Sequence, residues 1–300
     1  MISSPERMPN TLDGLYAQAA EATRLGSRTF FFATRFFPPE LARAAHAAYW
    51  FAGYTRSLSR QAATIEQGRR DLDRWEEQVN KGLRGHMVRN PVLEVFLDAT
   101  EQRKIPHRFI TDLIEGARMD LDHTRYRNFS ELRDYCHRTS GTMSVLMAHL
   151  IGYRGPAPEY MADLGLAMEL TSILGAVGNS LARGRVYLPA DEIESFGYSE
   201  AELQQHTRNS AFRTLMGFQA ERARSYYRNA APGLDLLDRR GRFAVRVAYD
   251  LSLRTLGRIE ASDFDVFERR PNLPVVERYW ITARSLAAPM TRRLWRSMSA

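Results

Sequence analysis

Apolar residues recur at steps of three and four along most of the chain, the spacing that keeps one face of an α-helix turned inward. The pattern begins with Leu12, Leu15, Tyr16 and Ala19, behind Thr11 or Asn10 as the capping residue, and Gly26-Ser27 interrupts it. The stretch Thr29 to Phe37 is aromatic and β-branched, a composition that by itself also suits a strand. Pro38-Pro39-Glu40 opens a helix in which Leu41, Ala44, Ala45, Ala48 and Ala52 follow in period as far as Arg60. Thr64 to Lys81 reads as a charge-rich amphipathic helix, Asn90-Pro91 opens another, and Pro106 opens one spanning His107 to Thr124. Asn128 caps a helix running through Tyr135 and Ser140 to Leu150, which Gly152 to Pro158 ends.

The next helix is predicted from Ala157 or Pro158 to Tyr187-Leu188-Pro189, with Leu166, Leu170, Ile173, Leu174, Val177 and Leu181 on its inner face. Gly165, Ala167, Gly175, Ala176 and Gly178 lie among them. Each interior glycine costs about 1 kcal/mol against alanine, so close approach of another helix or a ligand is expected there. Helix starts follow at Pro189-Ala-Asp-Glu and Ser199-Glu-Ala-Glu, then helical runs from Asn209 to Asn229, Gly233 to Leu237, Arg239 to Arg258 and Pro274 to Ser297. No segment alternates as a half-buried strand does, which predicts an all-α fold.

Composition narrows the class. Three hundred residues, 44% of them hydrophobic, suffice for one large domain, here residues 12 to 300 behind a loose tail at 1 to 11. Runs of about 18 apolar residues are absent, and Met1 to Arg7 lacks the apolar core of a signal peptide, so a soluble, cytoplasmic chain is expected. Cys136 stands alone, which excludes an intrachain disulfide and a cysteine metal cluster. The net charge of +7 comes from arginines scattered along the chain rather than clustered, which argues against nucleic acid and leaves peripheral contact with anionic lipid open. Neither a phosphate loop nor His-Glu-x-x-His nor Gly-x-Ser-x-Gly occurs.

Three ordered blocks carry a resemblance: Ser27 to Ala52, then Tyr135-Cys-His-Arg-Thr-Ser-Gly-Thr-Met, then Leu170-Thr-Ser-Ile-Leu followed by Leu181-Ala-Arg-Gly-Arg-Val-Tyr-Leu-Pro. Together they resemble the squalene and phytoene synthases over roughly residues 15 to 290. The resemblance implies an isoprenoid-synthase-type helical bundle around a central hydrophobic cavity, and it tips Thr29 to Phe37 from strand towards a helix end and pocket wall. It also implies head-to-head condensation of two prenyl diphosphates, farnesyl or geranylgeranyl, with magnesium bridging the diphosphate to aspartates on two facing helices. The ligand-facing set it implies is Ser27, Thr29, Phe30, Tyr49, Arg56, Arg60, Tyr135, Ser140, Ser172, Arg183, Arg185 and Tyr187.

The chain departs from the family at the metal positions. Where the first signature carries aspartates this sequence has Arg56, Ser57 and Arg60, and where the second carries its acids it has Ala176, Asn179 and Ser180. Serine is a neutral, weak ligand, alanine is none, and two arginines four apart share a face that repels a cation. Magnesium binding is therefore expected to be lost, and with it several powers of ten in ionisation rate. The same pair is suited to holding a diphosphate directly. Three carboxylates remain nearby: Glu115 and Asp122, seven apart, share a face, while Asp120 lies on another, and pairing with Arg118 or Arg125 is the expected use of all three, the alternative being a lone acid that holds a magnesium water. Two further readings fit the same losses: a non-catalytic isoprenoid carrier or assembly factor, a mitochondrial complex I assembly factor being similar to this family, and a deliberately altered synthase.

Overall fold

The computed structural model describes residues 11–103, 105–268 and 273–285. Residues 1 to 10 of the tail predicted at 1 to 11, and the end of the helix predicted to reach Ser297, lie outside the described residues. Side-chain caps start most of the early helices. Thr11 accepts from the Gly14 amide at α1 (Leu12–Gly26), and Ser27 accepts from the Phe30 amide at α2 (Arg28–Thr34). The run of phenylalanines is thus helical, not a strand. Pro39 opens α3 (Pro39–Arg60), Thr64 caps α4 (Ile65–Leu83), and Asn90 caps α5 (Pro91–Thr100) through the Val92 and Leu93 amides. After Pro106 comes α6 (His107–Asp122), and Asn128 caps α7 (Phe129–Cys136).

Two predicted helices are interrupted. The one expected from Asn128 to Leu150 contains a π-helical segment, His137–Gly141, between α7 and α8 (Thr142–Ile151). The one expected to reach Pro189 stops as α9 (Ala157–Leu174), breaks at Gly175 and Ala176, and resumes for α10 (Val177–Leu181) before an irregular stretch. Short helices α11 (Ala190–Ser195) and α12 (Glu200–Gln204) follow, the latter with a Ser199/Glu202 capping box, then α13 (Ser210–Ala230) and α14 (Arg239–Ala261). Residues 275–285 form a last described helix. Among the described residues no strand forms, only an isolated bridge between Tyr153 and Leu237, and no helix is long and apolar enough to cross a membrane.

Helix α9 runs through the centre, packed by α13, α8 and α14, while α3 lies against α1, α5, α6 and α8. The glycines of the central stretch are explained by backbone approach. A Cβ on Gly165 would meet the Ser140 carbonyl oxygen at 2.2 Å, because the π-helical segment presses against α9 there. A Cβ on Gly178 would meet the Phe267 carbonyl oxygen at 2.4 Å, and the Gly178 amide donates to Val266 O at 3.3 Å. That contact fixes the break before α10: the chain after α14 occupies the place a continuous helix would sweep.

Gly165→Ala is expected to lower stability by about 2–3 kcal/mol, since backbone cannot yield as a side chain can. Gly53→Ala, on an open face of α3 with nothing within 4 Å, should instead raise it by about 0.5–1 kcal/mol. Urea denaturation of both variants checks the pair.

His46 joins α3 to α2, its Nε2 lying 2.8 Å from Thr34 Oγ1, whose hydroxyl donates to Phe31 O. Burial pushes this imidazole below its ordinary 6.5. Below that pH the unfolded chain takes up a proton that the folded one resists, so His46 contributes a loss of stability as pH falls through 6.5. A His46→Gln chain should show a flatter stability profile between pH 7 and about 5 in thermal melts.

Candidate active site

The residues of the three sequence blocks converge where α3, α6, α7, α9 and the stretch after α10 meet. Asp120 on α6 is wholly buried. Its Oδ2 accepts from Arg60 Nε at 2.9 Å, and its Oδ1 accepts from Tyr135 Oη at 3.1 Å and Arg185 Nη1 at 3.4 Å. Arg185 also donates to the backbone carbonyls of Asp120, at 2.5 Å, and His123, at 3.3 Å, closing the end of α6. A second carboxylate, Glu169 on α9, accepts from Arg56 Nη2 at 3.4 Å and makes a short hydrogen bond with Ser140 Oγ. Both arginines of α3 reach the same phenol: Arg56 Nη2 is 3.2 Å and Arg60 Nη2 3.3 Å from Tyr135 Oη, and Arg60 Nη2 is 3.4 Å from Tyr187 Oη.

Three guanidiniums thus face two carboxylates across the junction. Burial alone would push Arg56 down, but Tyr135, Glu169 and Asp120 hold it well above its ordinary value. Arg60 is raised as well: burial and the Arg56 charge oppose this, and Asp120 with the two phenols outweighs them. Burial pushes the Tyr135 phenol far up, so it acts as a neutral donor. Two buried polar atoms in this region have no hydrogen-bond partner: Arg56 Nε, which lies 4.0 Å from Asp120 Oδ2, and Tyr126 Oη. The Tyr126 ring stacks on Tyr187 at 5.7 Å and lies 5.6 Å from Tyr135, so three tyrosines form a wall beside the arginines.

The expected residues divide by position. Ser27, Phe30 and Tyr49 stand together: Phe30 stacks on Tyr49 at 5.1 Å, and Ser27 lies near the Tyr49 hydroxyl. Burial raises the Tyr49 phenol, with Arg56 and Glu169 as its nearest charges, so this wall adjoins the arginine cluster. Thr29 lies half-buried on α2. Ser57 turns its hydroxyl back to Tyr54 O at 2.7 Å, away from the junction. Ser180 shares a small recess with Ile173, Leu181, Arg185 and Tyr187, and Ala176 sits at the helix break. Ser172, Asn179 and Arg183 are exposed.

The acids on α6 part company with expectation. Glu115 does pair with Arg118, at 3.2 Å, but Asp122 pairs with Arg69 at 2.7 Å, and Asp120 takes neither Arg118 nor Arg125. Arg118 is held by Asp73 and Glu76 of α4 and Arg125 by Glu200. Asp120, on the face the other two do not share, is the one that enters the cluster. No motif singles out Glu169 or Tyr126. Glu169 carried a signal nonetheless: it is the one charged residue between Asp163 and Arg183.

Comparison with known proteins gives the family and agrees with the fold. The profile of the Squalene/phytoene synthase family matches residues 23–277. The 15-cis-phytoene synthase of Synechocystis sp. is 31% identical, over 95% of this chain and 92% of that protein. The phytoene synthase of Arthrospira platensis is 32% identical, over 89% and 91%. Among solved structures, a dehydrosqualene synthase in complex with ligand superposes with a TM-score of 0.86 at 20% identity, covering 93% of this chain and 98% of that one. Squalene synthase HpnC from Alicyclobacillus acidocaldarius gives 0.78 at 20% identity, covering 86% and 98%.

Asp120→Asn removes the carboxylate from beneath three guanidiniums, and a stability loss of about 3–5 kcal/mol is expected. Adding Arg60→Gln should return part of it, a coupling that a double-mutant cycle in denaturant measures.

Proposed function

The chain belongs to the squalene/phytoene synthase family, and from that premise we propose that it binds a prenyl diphosphate or related isoprenoid with an anionic head, held by guanidiniums and phenols where family members use magnesium. One observation carries the reading. Arg56 and Arg60, both partly open to solvent, stand with Arg185 around only two carboxylates, and such a surplus of cationic donors calls for an anion, not a cation.

The residues present do not fit a magnesium ion. The ion needs several oxygen ligands with negative charge among them, and it would supply charge neutralisation to a departing diphosphate. Here the two carboxylates of the junction are already bonded by Arg56, Arg60, Arg185, Tyr135 and Ser140. The positions where the resemblance implies metal-binding acids hold Arg56, Ser57, Arg60, Ala176, Asn179 and Ser180, which add two positive charges and no negative one. Three arginines against two acids leave a surplus positive charge for a ligand's head. Arg56 and Arg60, with Arg185 and the exposed Arg183 on the far side, would bind phosphate oxygens in the forked manner of guanidinium. Tyr187 and Ser172 would supply neutral donors, Tyr135 and Ser140, whose hydroxyl protons go to Asp120 and Glu169, would hold those carboxylates in place, and Ser27, Thr29, Phe30 and Tyr49 would line the path of the hydrocarbon chain.

Ionisation of an allylic diphosphate needs its leaving group stabilised by several kcal/mol in the transition state. Guanidiniums engaged with Asp120 and Glu169 have little charge free for that task, so the reading is binding with metal-dependent condensation lost, in a single domain from residue 12 onward. A non-catalytic carrier or assembly role is consistent with the same internally paired cluster.

Titration of farnesyl and geranylgeranyl diphosphate into the full chain, with magnesium and with chelator, tests this. Equal affinity in both conditions, no diphosphate release, and about a tenfold or greater loss of affinity in Arg56→Ala/Arg60→Ala are expected. Arg56→Lys, which keeps the charge without the fork, serves as the folding control. Magnesium-dependent release of diphosphate, or binding unchanged in the folded double variant, would overturn the reading.

A further inference from the structure

Arg56 and Arg60 are committed on one side and open on the other. Their Nη2 groups meet at one atom, Tyr135 Oη, at 3.2 and 3.3 Å, so the two guanidiniums stand side by side. Further donations also go to protein: Arg56 Nη2 to Glu169, Arg60 Nε to Asp120, and Arg60 Nη2 to Tyr187. Among the described residues neither Nη1 makes a hydrogen bond. The two side chains are 29% and 35% exposed. A solvated donor exchanges water for a ligand at little cost, whereas a donor bonded to a buried carboxylate is recruited only by leaving that carboxylate bare. The cluster therefore offers a ligand one pair of neighbouring NH2 groups, from residues four apart on α3.

Charge gives the same measure. Arg56, Arg60 and Arg185 pair with Asp120 and Glu169, three positive charges with two negative ones, and a single positive charge is left. A carboxylate carries one charge on two oxygens and accepts paired N–H donors from guanidinium. A phosphate monoester carries about 1.5 to 2 charges at pH 7, and a diphosphate carries more charge on more oxygens, much of which would stay unmatched here. The path for an apolar chain lies on the same face of α3. At 100° per residue, Tyr49, Gly53, Arg56 and Arg60 fall within an arc of about 60°. Tyr49 is stacked on Phe30, and a Cβ on Gly53 would meet nothing within 4 Å. The helix backbone thus lies bare between an aromatic wall and the two guanidiniums.

We infer that the site selects a long-chain carboxylic acid, with an isoprenoid or a fatty tail, over a prenyl diphosphate. The inference rests on the reading of Arg56 and Arg60 as the seat of an anionic head, and it narrows that head to one carrying a single charge. Calorimetric titration of the full chain in chelator with farnesoic acid, farnesyl phosphate, farnesyl diphosphate, farnesol and palmitic acid tests it. Farnesoic acid is expected to bind about tenfold or more tighter than the diphosphate, with the monophosphate between them and farnesol weakest. Palmitic acid separates the two tails: affinity equal to that of farnesoic acid assigns the site to long-chain acids in general, and weaker binding assigns it to isoprenoid acids. Glu169→Gln keeps an oxygen for Ser140 Oγ and removes one negative charge. With folding checked by circular dichroism, it should move the acid-to-diphosphate affinity ratio about tenfold towards the diphosphate. A ratio unmoved by Glu169→Gln would overturn the inference. So would a diphosphate that binds more tightly than the acid and loses affinity in Arg56→Ala/Arg60→Ala, although the anionic-head reading would then stand. Farnesol bound as tightly as the acid, or no binding of either anion, would overturn both.

Discussion

A wholly buried carboxylate sets the terms for the centre of this protein. Asp120 is acceptable inside the fold only because its oxygens are met by donors from three separate elements: Arg60 of α3, Tyr135 of α7 and Arg185 after α10. The same Arg185 covers the backbone carbonyls at the end of α6, where positive charge is favourable. The carboxylate therefore ties together segments that share no local reason to meet. Glu169 does the equivalent on α9, fastening it to Arg56 and, through Ser140, to the π-helical segment.

Those charge contacts depend on backbones lying unusually close. Ser140 reaches Glu169 because the π-helical segment presses directly on Gly165, and the break at Gly175 and Ala176 redirects the chain so that Arg185 meets Asp120 and Tyr187 meets Arg60. A regular α-helix through either place would carry these side chains to another azimuth. The glycines of α9 and α10 are thus part of the site's geometry, although none of their atoms bonds to it.

Local structure was legible in the sequence and its interruptions were not. Thr64, Asn90, Asn128, Ser199 and Asn209 each cap the helix that the apolar spacing calls for, because a cap and a period are both decided within a few residues. The π-helical segment and the break before α10 follow from neighbours far along the chain, the latter from Phe267. The resemblance brought Arg56, Arg60, Tyr135, Arg185 and Tyr187 into view, and the structure brings them together. The partners of Arg60 and Arg185 were out of reach, since Asp120 stands 60 and 65 residues away and spacing along a single helix says nothing about the helix opposite. That is why Asp120 was grouped with Glu115 and Asp122, from which its burial separates it.

On the proposed reading, the residues at the positions where the resemblance implies metal-binding acids amount to one exchange of charge. Carboxylates gathered at a junction repel one another and need a cation to coexist. A chain that relies on a dissolved metal leaves that need open until the ion arrives, which couples the site to ligand and metal together. Arg56 and Arg60 place the cation on the protein itself, so that Asp120 and Glu169 are neutralised whether or not anything is bound. Tied to fixed side chains, that charge cannot follow a leaving group as a metal held between protein and diphosphate can, and its hydrogen bonds are already committed in the resting fold. On the proposed reading such a centre gains permanence and gives up differential stabilisation of a transition state, which favours holding a ligand over transforming it.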